Sequence, residues 1–146
     1  MGQNNGGNMF DNTTFGKSLD IMKRTMDVSL LRREVIADNI ANSETPNFKR
    51  TDITFESSMA NALKTEHSTP FKMKLTHEKH IPNDRIVDYK TVKPRRVLDY
   101  QSQSDNNGNN VDIEKEMMDV VKNQMKYQLM TQAVSKQFQK INMVVR

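Results

Sequence analysis

Cysteine is absent from this chain of 146 residues, so neither a disulfide nor a thiolate site can be built from it. Tryptophan is absent too. Glycine is scarce, at five residues, two of them adjacent near the N-terminus, which makes a phosphate-cradling loop hard to place. Hydrophobic residues make up only 35% of the chain, below the usual globular share, against 27% charged. Such a chain can bury a narrow seam but not a large core, and parts of it are expected to order only on assembly. No apolar run approaches the roughly 20 residues that span a bilayer, so direct membrane insertion is not expected. The first residues lack the basic-then-apolar pattern of a cleaved signal peptide, and Gly6 stands where a myristoylation signal needs Ser or Thr. By these rules the chain reads as soluble, with export by a route that reads no cleavable signal left open.

Catalytic constellations are missing as well. The histidines are His67, His77 and His80. His77 and His80 are three apart, but the alternation from Phe71 to Leu75 argues for strand or turn there, and no third ligand is near in sequence. No phosphate-loop, nucleophile-elbow or zinc-protease motif is present. Glu114 and Glu116 are better read as charge at a helix N-terminus than as an acid–base pair. No catalytic residue, metal ligand or cofactor is therefore expected. The net charge of +4 is spread along the chain, and only Lys90, Lys93, Arg95 and Arg96 cluster. Without interleaved stacking aromatics, that cluster reads first as a solvated loop and then as a contact for an acidic partner, not as a nucleic-acid surface.

What the chain does have is methionine, at 11 residues, and two long heptad patterns. Methionine fills irregular contacts between helices and suits surfaces that repack. Residues 1–13 are rich in Asn and Gly and read as a disordered tail. Over 14–43, Phe15, Leu19, Met22, Met26, Ser29, Arg33, Ile36 and Ile40 alternate gaps of four and three, a seam with a polar break in its middle. Val28, Leu30, Leu31 and Val35 lie off this seam, and a second apolar face implies further neighbours. Over 111–146, Ile113, Met117, Val120, Gln124, Tyr127, Thr131, Val134, Phe138, Ile141 and Val145 repeat the pattern, widened by Met118, Val121 and Met125. Asp112 is its natural N-cap.

The segment 44–110 between them is weaker. Ile53 and Phe55 alternate with polar residues as in a strand, and Ser58–Lys64 suits a short helix. Phe71–Leu75 reads as a half-exposed strand, and Ile86–Val87 and Val97–Leu98 as shorter ones. Asn106–Asn110 reads as a turn or flexible linker. The expected fold is mainly α: long N- and C-terminal helices packed as a coiled-coil-like pair, antiparallel or tilted, with a small β-rich or irregular middle segment projecting from one end.

One stretch organises the rest. Ile36 and Ile40 share a helix face, Ala37 and Ala41 form a small-residue strip beside it, and Asn39 and Asn42 lie on a third. Asn is a mediocre helix former, so two in the last turns need a reason. Either they fray and cap the helix end, or their amides bond to the segment that follows. Pro46 forces Thr45 out of the helical region and stops the helix by about Ser43. Phe48 comes just after this corner, where an aromatic ring can fold back onto the helix.

The run from Val35 to Lys49, V-I-A-D-N-I-A-N-S-E-T-P-N-F-K, resembles the signature near the N-terminus of bacterial flagellar rod and hook proteins, A-x-N-I/L-A-N-x-x-T-P-G-Y/F-K/R. Asn47 stands where that family usually has Gly, and Asn tolerates the left-handed conformation, so the turn is expected to survive. The short chain, the stretch Asn109–Gln128 and the segment Leu75–Ile81 are similar to the proximal-rod group of that family. The resemblance implies a structural subunit of the proximal rod, not an enzyme, polymerising through its terminal helices as part of the drive shaft. It also implies export through the flagellar type III apparatus without a cleaved signal, and a place in the rod within the periplasmic space. Implied partners are copies of itself, other rod proteins, and adjoining basal-body and export-gate components. The interface is expected at Leu19, Met22, Met26, Ile36, Ala37, Asn39, Ile40, Ala41 and Asn42 of the first helix and at Thr45, Pro46 and Phe48 of the corner. On the last helix it is expected at Met117, Val120, Tyr127, Val134, Phe138 and Ile141. The competing reading is a soluble helical adaptor or chaperone-like module that uses the Met-rich C-terminal helix as its groove partner.

Overall fold

A computed structural model of the chain describes residues 13–66, 77, 79, 86–102 and 106–145. Two long helices dominate it: α1, Thr14–Ala41, and α3, Ile113–Val145. With 28 and 33 residues they run about 42 and 50 Å at 1.5 Å per residue. Between them lie strand β1, Thr51–Thr54, helix α2, Glu56–Glu66, a 3₁₀ turn, Tyr89–Thr91, and strand β2, Arg95–Leu98.

Local chemistry sets the helix starts. The Thr13 hydroxyl accepts from the Gly16 amide at 3.1 Å and caps α1. Asp112 caps α3, its Oδ1 accepting from the Lys115 amide at 3.1 Å, and Glu114 and Glu116 in the first turn complement the helix dipole. The two helices pack against each other. They run antiparallel, because Asn39 near the end of α1 meets Glu116 at the start of α3, while Ser29, further back, meets Asn123, further on.

α1 is the central element, since it presents two adjoining stripes to two layers. Ser29, Ile36 and Asn39 are buried, and Ser29 and Asn39 bond to α3. Val28 and Val35, with Leu31 beside them, pack instead on Ile53 and Phe55 from β1 and its exit, Met59 and Ala62 of α2, and Tyr89 and Val92 of the 3₁₀ turn. Of the off-seam apolar residues of α1, Val28, Leu31 and Val35 thus have the further neighbours expected, whereas Leu30 is exposed. Each such side chain, fully buried, stabilises by about 1.5–3 kcal/mol. Arg32 ties the layers from above, with an ion pair to Glu56 at 2.8 Å and a bond to the Ile53 carbonyl at 3.2 Å. β1 and β2 pair antiparallel, Thr51 opposite Leu98 and Thr54 opposite Arg95, as a two-stranded sheet.

The middle segment departs from the sequence reading in places. Phe55 sits just past β1, where its carbonyl accepts from the Met59 amide at 2.9 Å and opens α2. α2 is longer than Ser58–Lys64 at both ends. Ile86–Val87 is exposed coil and not a strand. No strand pairs with it among the described residues, and Asp88 caps the 3₁₀ turn through Oδ1 and the Lys90 amide at 2.9 Å, which winds the chain up at once. Asn106–Asn110 is a turn but no free linker, because Asn109 and Asn110 are buried. Phe71–Leu75, His67, His80 and the tail 1–12 lie outside the described residues.

Candidate functional site

The functional centre of gravity is the corner where α1 ends. Ala41 is its last residue, and the amide of Asn42 still bonds to the Asp38 carbonyl at 3.1 Å. Two further turn bonds follow, Thr45 N–H to Asn42 O at 3.0 Å and Phe48 N–H to Thr45 O at 3.3 Å. Asn47 adopts φ 61°, alone in the left-handed region among the described non-glycine residues. The position that takes Gly in the flagellar signature thus keeps its conformation with Asn.

A helix end leaves carbonyls without intrahelical donors. Here a distant side chain supplies them. The Asn109 amide nitrogen donates to the carbonyls of Asn42, Ser43 and Thr45 at 2.9, 2.8 and 2.9 Å, and its oxygen accepts from the Val111 amide at 2.8 Å. Asn109 is fully buried.

Asn39 plays the matching part toward β1. Its amide accepts from the Thr51 N–H at 3.0 Å and donates to the Thr51 carbonyl at 2.9 Å, as a neighbouring strand would. The same nitrogen donates to Glu116 Oε2 at 3.1 Å. Asn42 acts locally, donating to the Asp38 carbonyl at 2.8 Å and accepting from the Thr45 hydroxyl at 3.4 Å. The two readings of the asparagines therefore divide between them: Asn39 binds the following segment, and Asn42 caps.

Below Asn39 lies a buried ion pair. Arg50 Nε donates to Glu116 Oε1 at 2.6 Å, and Glu116 is fully buried. Asp52, Asp119 and Asp99 stand around the guanidinium at 3.4, 3.6 and 3.9 Å. Burial pulls the Arg50 pKa down, but the hydrogen bond and charge of Glu116, with the charge of Asp52, more than offset this, and the net shift is upward. The Arg50 amide is held by Asn110 Oδ1 at 2.7 Å, whose nitrogen donates to the Asp99 carbonyl at 2.7 Å. Asp99 accepts from the Ser102 hydroxyl and from the Ser102 and Gln101 amides, which hold its pKa down at about 2. Further along the helix pair, Asn123 donates to the Ser29 carbonyl at 2.7 Å.

The corner thus joins α1, β1, the exit of β2 and the start of α3 through polar groups. Arg50, Asn109, Asn110, Glu116 and Asn123 were not among the residues expected at a site. A cleft of about 450 Å³ lies beside them, lined by Arg32, Arg50, Asp119, Lys122, Asn123 and Lys126 among others. Among the described residues no group of three His, Cys, Asp or Glu is arranged for a metal ion, and no helix is long and apolar enough to cross a membrane.

The expected interface residues are distributed unevenly. Asn39 and Ile36 are buried, and Leu19, Met22, Met26, Ile40, Asn42 and Phe48 are half-buried. Ala37, Ala41, Thr45 and Pro46 are exposed around the corner. On α3, Tyr127, Val134 and Ile141 are half-buried, whereas Met117, Val120 and Phe138 are exposed. The corner brings Asn39, Asn42, Thr45 and Phe48 together; the α3 residues are strung along the helix. The inward face of the first turns of α3 is Glu116 and Asn123, so the apolar stripe Met118, Val121, Met125 and Leu129, at helical spacing, points outward with Met117 beside it.

No family model matches the chain. Among curated proteins it is similar to the flagellar basal body rod protein FlgB of Borreliella burgdorferi, 45% identical over 132 residues, which is 90% of this chain and 98% of that protein. The protein of the same name from Borrelia hermsii is 42% identical over 132 residues, with the same coverage. That of Aquifex aeolicus is 28% identical over 130 residues, 89% of this chain and 94% of that protein. A mainly helical chain with paired terminal helices, a flagellar-type corner motif and relatives matched over nearly their full length belongs to the FlgB family of flagellar basal body rod proteins, and its function is that of a structural rod subunit.

Proposed function

We propose that the subunit polymerises through its terminal helices, with the exposed α3 stripe and the corner at Thr45 and Pro46 as the surfaces that meet neighbours. The observation that carries this reading is the outward stripe of α3, where Met117 is 62%, Met125 58% and Leu129 64% exposed. A contiguous apolar face of this kind marks a protein contact. In this reading Leu19, Met22, Met26 and Ile40, half-buried in the monomer, close fully when further helices pack on them.

The neighbours are copies of this chain, other rod proteins, and adjoining basal-body and export-gate components. The subunit occupies the proximal rod within the periplasmic space, arrives through the type III apparatus without a cleaved signal, and transmits torque without catalysing a reaction. A closed adaptor complex is the weaker reading, since relatives along nearly the whole chain carry the name of a rod protein. Met125→Glu tests the stripe. A charge there has no inward contact to lose, so the far-ultraviolet spectrum and unfolding midpoint should match the parent. Incorporation into rods, followed by electron microscopy of isolated basal bodies, should fail. Normal rods from this variant would remove α3's outer face from the interface.

A further inference from the structure

The turn at 106–108 carries a chemistry that the assembly reading leaves unused. Asn107 is the one asparagine among the described residues that is followed by a glycine. A glycine has no Cβ to shield its amide nitrogen, so the preceding side-chain carbonyl can reach it. Asn107 is exposed, and its Oδ1 accepts from the Asn109 amide at 3.0 Å. That bond folds the side chain back over its own backbone, as in an Asx turn, and draws electron density from Cγ. Among the described residues, no group accepts a hydrogen bond from the Gly108 amide.

We propose that Asn107 is a site of spontaneous deamidation, whose β-linked product unlatches the corner at the end of α1. The Gly108 amide gives its proton to solvent base, and its nitrogen attacks Asn107 Cγ. A bond forms between that nitrogen and Cγ, the bond from Cγ to Nδ2 breaks, and Nδ2 leaves as ammonia with a proton from water. The product is a five-membered succinimide. Water then adds at one of its two carbonyls. Opening at Cγ gives aspartate; opening at the backbone carbonyl gives isoaspartate, with the chain running through the side chain. No electrons change hands, and water is the only co-reactant.

The fold keeps this labile pair. Gly108 has φ +77°, and a Cβ there would lie 2.6 Å from Asn47 Oδ1, so no other residue fits without a shift. The two products have different consequences. Aspartate retains an oxygen for the Asn109 amide and adds a negative charge near Lys49, whose Nζ donates to the Gly108 carbonyl at 2.6 Å. Isoaspartate adds a backbone carbon between 107 and 108 and so displaces Asn109. The three carbonyls that Asn109 holds at the end of α1 then lose its amide, and those of Asn42 and Thr45 keep only their turn bonds from the Thr45 and Phe48 amides.

The test is to incubate the purified full chain at neutral and mildly alkaline pH, map its peptides by mass spectrometry, and label isoaspartate with an isoaspartyl methyltransferase. Asn107 should convert several-fold faster than Asn106, Asn109 and Asn110 in the same loop, and faster at the higher pH. The labelled fraction should unfold at a lower temperature than fresh protein, while Asn107→Asp, which carries the other product from the start, should keep the parent's midpoint. Asn107→Ser, which lacks the electrophilic carbonyl, should take no label at this position. An intact Asn107 after Asn5, which precedes Gly6, has converted in the same sample would show that the turn protects the pair, and would overturn the proposal. So would an Asn107→Asp chain as unstable as the aged protein, because the damage would then come from charge and not from the lengthened backbone.

Discussion

α3 turns two unlike faces to its surroundings within its first five turns. Inward it buries Glu116 and Asn123, bonded to Arg50, Asn39 and the Ser29 carbonyl. Outward it exposes Met118, Val121, Met125 and Leu129. An ordinary amphipathic helix does the reverse. The inner face is largely satisfied within the subunit, whereas the outer one leaves its apolar side chains exposed. The difference separates two kinds of stability. The corner holds the monomer's own geometry and gives α1 and α3 one register, because a buried polar pair fits only one alignment. The stripe adds stability only when another helix covers it.

Breaking the inner face should have the largest effect. Glu116→Ala leaves the Arg50 guanidinium buried beside carboxylates that stand 3.4 Å or more away. Removing one partner of a buried pair typically costs about 3–5 kcal/mol. The monomer should unfold at a much lower denaturant concentration, and replacing Arg50 and Glu116 together by apolar residues should restore much of the loss. A single variant as stable as the parent would mean that solvent reaches Arg50 freely. Asn109→Ala comes next. It removes a donor shared by three carbonyls, of which those of Asn42 and Thr45 keep turn bonds, and a buried group left unsatisfied costs about 1–3 kcal/mol. Hydrogen exchange should then speed up in the last two turns of α1 but not in α2. Uniform acceleration would argue against Asn109 acting as a local cap.

The two faces were not equally legible in the sequence. Heptad spacing, Asp112 and Pro46 located both long helices to within a few residues, because caps and breakers act locally. Asn47 could be assigned its left-handed turn because the alternative at that place is glycine. The inward face of α3 could not be read, because periodicity marks the apolar stripe and the usual inference turns that stripe inward. The pattern Glu116, Asp119, Asn123 also has gaps of three and four, but acids in the first turns of a helix read as complements to its dipole. Arg50 and Glu116 are 66 residues apart, and Asn109 is 67 from Asn42. Such pairs depend on how the insert folds back, which no local spacing encodes. The N-N-G-N-N run looked like a linker because composition cannot tell an asparagine that caps a distant helix from one in solvent.

Phe138→Ala sharpens the comparison from the other side. Truncating a fully buried Phe costs about 3–5 kcal/mol, but this ring is 51% exposed. The monomer should lose about 1 kcal/mol or less, in keeping with a surface position. Co-assembly with other rod components should weaken far more, since the ring is buried only when helices of neighbouring subunits close over it. A large loss of monomer stability with normal assembly would place Phe138 in the subunit's own core and shorten the outer face to Met117–Leu129.

The smallest expected effect is an acid one, and its component from the corner rests on Asp99. Asp99 has its pKa lowered from 3.8 to about 2, chiefly by the Ser102 hydroxyl, then by the Ser102 and Gln101 amides, with a contribution from Arg50. A carboxyl that binds its proton less readily in the folded chain favours folding above its unfolded value, and this contribution fades as pH falls toward about 2. Glu56 is shifted in the same direction, its bond to Arg32 outweighing burial, so the acid limb has two components. Asp99→Asn should flatten the part of the stability–pH curve below 3.8 and leave it unchanged near neutrality apart from a constant offset. Met125→Glu places its charge on the exposed stripe and touches none of the groups that hold Asp99, so it should leave the Asp99 part of the curve parallel to the parent's. Urea midpoints at several pH values would show this. If Asp99→Asn follows the parent's curve through the whole acid range, the turn at Ser102 does not hold Asp99 ionised, and the acid sensitivity of the subunit comes from Glu56 at the start of α2 instead of the corner.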